Sequence, residues 1–277
     1  MNSKYQFTLS NLNKARSLDN YKIINSSIKN GKCIVFFSGN GLYFPNTEEE
    51  LNKTIDTDRY EWQKLYPKNY EKVIFIRDVY KQWYVEGINE EIDSIDKLKC
   101  FLDKEIEGFN TTFIGSSAGG YAAVLLGDIC TVDLIISLSG QFDLTEEKKR
   151  SQANEILHHS PRLEYLQLAN LTNKNIVYFY PRFSEYDKEQ NLFAIKNKLI
   201  TIIEINSSIH GVPFYPFALK KILGLDFVDF KKLSNKNHNM TLFSLKYCTC
   251  IDLLTWLKIQ LSKTFSRFKY LITRKNK

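Results

Sequence analysis

Gly115-Ser116-Ser117-Ala118-Gly119-Gly120 follows the apolar run Thr111-Thr112-Phe113-Ile114 and precedes Tyr121-Ala122-Ala123-Val124-Leu125-Leu126, a run of small and helix-prone residues. Small residues two before and two after a serine let a strand turn sharply into a helix. The turn holds the hydroxyl proud of the sheet with the next backbone N–H beside it. The stretch reads as a nucleophile elbow with Ser117 at its tip. G-x-S-x-G alone recurs in unrelated chains, so the flanking strand and helix carry most of the specificity. The competing reading is a tight strand-to-helix turn in which Gly and Ser have no chemical role.

On both sides of the elbow, apolar runs alternate with helical stretches, the pattern of a mainly parallel sheet covered by helices. β-Branched and aromatic enrichment predicts strands over Cys33 to Phe37, Val73 to Ile76, Thr112 to Ile114, Leu134 to Leu138, Ile176 to Tyr180 and Ile202 to Ile205, with Tyr5 to Ile24 as an antiparallel edge pair. Helices are expected over Ile92 to Glu107, Ala118 to Gly127, Glu146 to Gln167, Lys188 to Asn197 and Pro213 to Leu223. In the first, Ile92, Ile95, Leu98, Phe101, Leu102 and Ile106 share one face at helical spacing and belong to the core. Gly140 to Asn175 is the one stretch with room for a lid; it is short, so any cap is small and a small acyl group fits better than a long buried chain. The expected class is α/β, with a small or absent lid and a basic helical extension at the C-terminus.

A serine hydroxyl is a poor nucleophile near neutral pH. It needs a histidine to take its proton and a carboxylate to orient the imidazole, and in folds with this elbow the chain order is Ser, then acid, then His. Of His158, His159, His210 and His238, His210 stands in the polar Asn206-Ser207-Ser208-Ile209-His210-Gly211 loop after the last strand and is the best base. For the acid, Asp187 follows the strand Ile176 to Tyr180 and precedes the next helix; its competing role is an N-cap, with Glu185 and Asp143 as further candidates. An oxyanion hole needs two convergent donors. The Ala118 amide is one, and Gly39 or Asn40, in the loop Phe37-Ser38-Gly39-Asn40-Gly41-Leu42, offers the other unless that loop is a plain Asn-Gly turn.

Together these elements resemble the α/β-hydrolase superfamily over roughly Cys33 to Leu223. More narrowly, the chain is similar to small α/β-hydrolase-like proteins of bacterial surface-polysaccharide and glycoprotein assembly, including the acyltransferase component of accessory Sec systems. That likeness is carried by Arg77-Asp78, Trp83-Tyr84, Gly87, Ile114 to Tyr121, Ser137-Leu138-Ser139-Gly140-Gln141, Tyr186-Asp187 and Ser207-Ser208-Ile209-His210. It implies a triad of Ser117, Asp187 and His210, with Asp78, Trp83 and Tyr84 lining or bracing the pocket mouth as substrate-binding residues and Gln141 close to the nucleophile. For Trp83 and Tyr84, packing is an equal alternative. The chain departs at Ser139-Gly140-Gln141, where relatives often have proline before the glutamine, and in its basic tail.

The 277 residues can bury a large core, and 43% hydrophobic with 25% charged residues describe an ordinary globular chain. From Phe230 onward stand eleven Lys or Arg and one acid, Asp252, a balance of +10 within an overall +7. The division expected is a domain over residues 1–229 and a basic amphipathic extension over 230–277. Apolar residues every three to four positions among those bases suit an anionic membrane surface or a packed terminal helix. No nucleic-acid-binding fold accompanies the charge. The first residues lack a long apolar run and no stretch reaches the eighteen or so a span needs, so the expected location is cytoplasmic, peripheral to the inner membrane face. Cys33, Cys100, Cys130, Cys248 and Cys250 form no disulfide framework. Cys248 and Cys250 lack a second ligand pair, so neither a metal nor another cofactor is expected.

The expected function is serine-dependent acyl transfer, with an acyl donor and a carbohydrate acceptor as partners. Acetylation or deacetylation of a surface glycan is preferred. The alternative is a non-catalytic member of the fold that binds a glycan or an assembly partner through the same pocket.

Overall fold

Cys33 to Phe37 have no solvent exposure on either face, which is the signature of a central strand in a parallel sheet clothed on both sides. They belong to β2 (Lys32–Phe37), whose alternate residues feed two separate cores: Val35 and Phe37 one, Ile34 and Phe36 the other. The computed structural model describes residues 9–145, 163–205, 210–211, 219–220 and 222–235.

Around β2, a seven-stranded sheet forms in the order β1-β3-β2-β4-β5-β6-β7. The other strands are β1 (Tyr21–Asn25), β3 (Lys72–Ile76), β4 (Asn110–Ser116), β5 (Leu134–Leu138), β6 (Ile176–Pro181) and β7 (Ile200–Ile205). β1 runs antiparallel against β3, and all other pairings are parallel. Each strand read from the sequence from Cys33 onward is present with ends shifted by two residues or fewer.

The helices are α1 (Leu9–Arg16), α2 (Glu48–Asp56), α3 (Ile95–Ile106), α4 (Ala118–Ile129), α5 (Glu185–Ala194) and α6 (Phe227–Asn235). α3 starts where Ser94 caps it, its hydroxyl accepting from the Lys97 amide, and buries Ile95, Leu98, Leu102 and Ile106 as their spacing predicts. α5 begins three residues before the expected Lys188, because Ser184 supplies the cap by accepting from the Asp187 amide.

Of the edge pair expected over Tyr5 to Ile24, the described residues hold one strand, β1. Before it, Leu12 and Ala15 lie three apart on a helix that packs on Leu51 and Ile55 of α2, and Asn20, at φ 57°, turns the chain into β1. α2, absent from the sequence reading, is capped by Thr47. α6 spans the boundary expected at residue 229, and its Phe230 packs edge-on against Phe179 at 5.8 Å between ring centroids. Most of the helices expected over 146–167 and 213–223, and the basic tail from 236 on, fall outside the described residues, as do Cys248 and Cys250. The candidate lid departs and returns at a bridge between Asp143 and Gln167.

After β2 the chain moves to β3 on one side; after β4 it moves to β5 on the other. The loops leaving β2 and β4 therefore part in opposite directions, and the crevice between two such strand ends is where open α/β sheets place their sites.

Candidate active site

The elbow is built by contact between backbones. A Cβ on Gly115 would stand 2.2 Å from the Gly119 carbonyl oxygen, and one on Gly119 would stand 2.1 Å from that of Phe37. Only glycines allow β4, α4 and the end of β2 to meet this closely. Ser117, between β4 and α4, has φ 52° and ψ −122°, a conformation that costs a non-glycine residue on the order of 1–3 kcal/mol and is characteristic of functional turns. Its amide donates to the Leu138 carbonyl at 2.9 Å, and its carbonyl accepts from Tyr121 at 3.1 Å.

Ser117, His210 and Asp187 converge. His210 Nε2 lies 2.9 Å from Ser117 Oγ, and Nδ1 lies 2.9 and 3.1 Å from the two Asp187 carboxylate oxygens. Asp187 has a fully buried side chain while the imidazole is 36% exposed, so the acid is sequestered behind a base that faces the solvent side. Asp187 is not the N-cap of α5. Ser184 takes that role, which leaves the carboxylate free for the imidazole. The other acid candidates are elsewhere: Glu185 pairs with Lys188 at the surface, and Asp143 accepts from the Gln167 side chain and the Thr145 amide. His158, His159 and His238 lie outside the described residues.

Gln141 closes a ring of contacts around the hydroxyl. Its Nε2 donates to Ser117 Oγ at 3.3 Å and to Tyr186 Oη at 2.9 Å, while Oε1 accepts from the Trp83 indole at 3.0 Å. Tyr186 in turn meets the His210 ring edge-on at 5.0 Å. The glycine before Gln141 explains the departure from proline: a Cβ on Gly140 would stand 2.2 Å from Ser137 Oγ and 2.7 Å from the Gly120 carbonyl carbon.

Asp78, Trp83 and Tyr84 do not offer a substrate surface; they are 4%, 3% and 0% exposed. The Asp78 carboxylate organises its own loop, accepting from the amides of Tyr80, Gln82 and Tyr84. Burial pushes this carboxyl up to about 6, against the pull of those donors. Tyr84 Oη donates to the carbonyls of Ser38 and Ile76, pinning the ends of β2 and β3 together. Lys81, Trp83 and Tyr84 all have positive φ, so the loop is strained and held by these bonds. Of the pair that the likeness joined, Trp83 acts on the site through Gln141 and Tyr84 through the loop after β2.

In that loop the two expected donors differ. The Gly39 amide is taken by the Glu61 carboxylate at 2.6 Å. Asn40 opens the 3₁₀ turn Asn40–Tyr43, where the first amides have no acceptor within the turn. Ala118 opens α4 in the same way. Glu61 itself was missed: no motif or periodicity marks it, and only the fold brings it beneath the elbow. Burial holds its carboxyl above the usual range.

No family model and no curated protein matches the chain. Solved structures similar to it include the capsule O-acetyltransferase of Neisseria meningitidis serogroup A, at 19% identity over 69% of this chain and 85% of that one, TM-score 0.49. MenH from Staphylococcus aureus is similar at 12% identity over 79% and 100%, TM-score 0.45. The Francisella virulence factor BioJ is similar at 14% identity over 80% and 83%, TM-score 0.43. By its own strand order, its antiparallel edge and the strand-elbow-helix at its centre, the chain has the α/β-hydrolase fold.

Proposed function

We propose that the chain is a serine-dependent acyl-transfer enzyme. Ser117 Oγ attacks an ester or thioester carbonyl while its proton passes to His210 Nε2, and Asp187 holds the imidazole through Nδ1. The Oγ–C bond forms, and the negative charge gathers on the carbonyl oxygen facing the Ala118 and Asn40 amides. As the tetrahedral centre collapses, the bond to the leaving group breaks and His210 returns the proton to it. In the second half, water or a sugar hydroxyl gives its proton to the same nitrogen and takes the acyl group, restoring Ser117. The supporting observation is the continuous chain of contacts, 2.9 Å from Ser117 to His210 and 2.9 Å from His210 to Asp187. A small acyl group passed to or from a surface glycan is the preferred chemistry, with Gln141 and Tyr186 standing close beside the hydroxyl.

A fluorophosphonate probe tests the mechanism. Intact-mass measurement is expected to show one label on the wild type and none on Ser117→Ala. A folded wild type that takes no label overturns the proposal. Incubation with acetyl donors, followed by the same measurement, then reads a mass gain of one acetyl group on Ser117.

A further inference from the structure

Glu61 lies in the turn beyond α2, far along the chain from the elbow and outside the Ser117-His210-Asp187 relay. Its carboxyl nevertheless stands between the two backbone segments that must keep register for an oxyanion to be met. Oε2 accepts from the Gly39 amide at 2.6 Å, and Oε1 lies 3.2 Å from the Ser116 hydroxyl. The Glu61 amide donates to Ser38 Oγ at 3.2 Å, so turn and loop grip each other twice. The loop lies hard against the elbow: a Cβ on Gly39 would stand 2.7 Å from the Ser116 carbonyl oxygen. Gly39 has an extended backbone that any residue could adopt, so this contact, not its φ, is what demands glycine. A glycine between two mobile peptides has wide conformational freedom unless something holds its amide.

The geometry points to Glu61 as a positioning residue that ties the Ser38-Gly39-Asn40 loop to the residue before the nucleophile. By occupying the Gly39 amide, it leaves those of Asn40 and Ala118 as the pair that receives a developing oxyanion. This role rests on the acyl-transfer function proposed above. The two carboxyl oxygens of Glu61 accept from the Gly39 amide and from the Ser116 hydroxyl, so one side chain spans the loop and the elbow. Burial holds the carboxyl above its ordinary range, against the pull of those two donors.

Two variants separate tie from volume. Glu61→Gln keeps an acceptor for Gly39 and a hydrogen-bonding partner for Ser116; Glu61→Met fills the space with neither. With p-nitrophenyl acetate as substrate, Glu61→Met is expected to lower kcat by about 10²-fold with KM within about twofold, as for loss of an oxyanion donor. Glu61→Gln is expected to stay within about threefold of wild type, the size of one weak hydrogen bond. A folded Glu61→Met with wild-type kcat, or a Glu61→Gln as impaired as Glu61→Met, overturns the inference. Should Glu61→Met not fold, Ser116→Ala cuts the same tie from the other side, and wild-type kcat there overturns it equally. Hydrogen exchange at the Gly39 amide keeps this test separate from the proposed function. If wild type proves inert to ester and probe, that function falls. The tie then stands on faster Gly39 exchange in Glu61→Met and falls on unchanged exchange.

Discussion

At the scale of residues, the site divides work between groups that touch one another in sequence-distant pairs. Asp187 can orient His210 only because Ser184 relieves it of capping α5, a division made by one hydroxyl three residues upstream. Asparagine at 187 would preserve the packing but put an N–H donor where a carboxylate oxygen faces Nδ1, which favours the wrong imidazole tautomer. Asp187→Asn is therefore expected to lower kcat toward p-nitrophenyl acetate by about 10⁴-fold while the melting temperature holds, measured by steady-state kinetics beside thermal unfolding. A drop of less than tenfold would mean that His210 is oriented without it. Ser117, Asp187 and His210 were legible as residue types in a required order. Glu61 was not, because a single half-buried carboxyl has no periodicity and acquires its role from two neighbours that the fold supplies.

Elements meet at the elbow through backbone, which is why its glycines carry structural as well as chemical meaning. Alanine at Gly119 would press a methyl into the Phe37 carbonyl and force α4 away from β2. Gly119→Ala is expected to cost on the order of 3 kcal/mol in urea unfolding. Gly41→Ala, with nothing within 4 Å of its added carbon, is the control and should stay within about 0.5 kcal/mol. Equal stability of the two would show that the elbow tolerates separation. The strands and α3 were readable from periodicity because their apolar spacing repeats over several turns. The edge at Tyr5 to Ile24 was misread because a short helix and a short strand offer too few repeats to distinguish their periods. α2 escaped because its buried positions, Leu51, Thr54 and Ile55, include a polar residue.

For the whole molecule, two buried titratable groups beside the site set a pH signature. Burial pushes the Lys81 amine down to about 7 from an ordinary 10.5, and the Asp78 carboxyl up to about 6 from 3.8. Between pH 7 and 10.5 the unfolded chain holds a proton on Lys81 that the folded chain has released, so stability rises with pH by up to about 1.4 kcal/mol per unit. Between about pH 4 and 6 the folded chain keeps a proton on Asp78 that the unfolded chain has lost, so stability falls as pH rises. Chemical denaturation across pH 4 to 10 is expected to trace that dip and recovery. Lys81→Met should flatten the alkaline limb alone, and an unchanged limb in that variant would reassign it to another group.

The amino-acid sequence by itself determined the parallel sheet, the elbow and the order of its three polar residues, because strand burial and tight turns leave local, repeating signatures. The family resemblance it carries also named Asp78, Trp83, Tyr84 and Gln141, without fixing what each holds. Only the tertiary structure decided that Asp78, Trp83 and Tyr84 brace the site from beneath, that the Gly39 amide is spoken for, and that Glu61 belongs to the same ring of contacts. Those facts depend on the strand order, which brings the loops after β2 and β4 together from positions nearly eighty residues apart, as Gly39 and Ser117 are. Proximity of that kind comes from chain topology, and no local pattern of residue types encodes it.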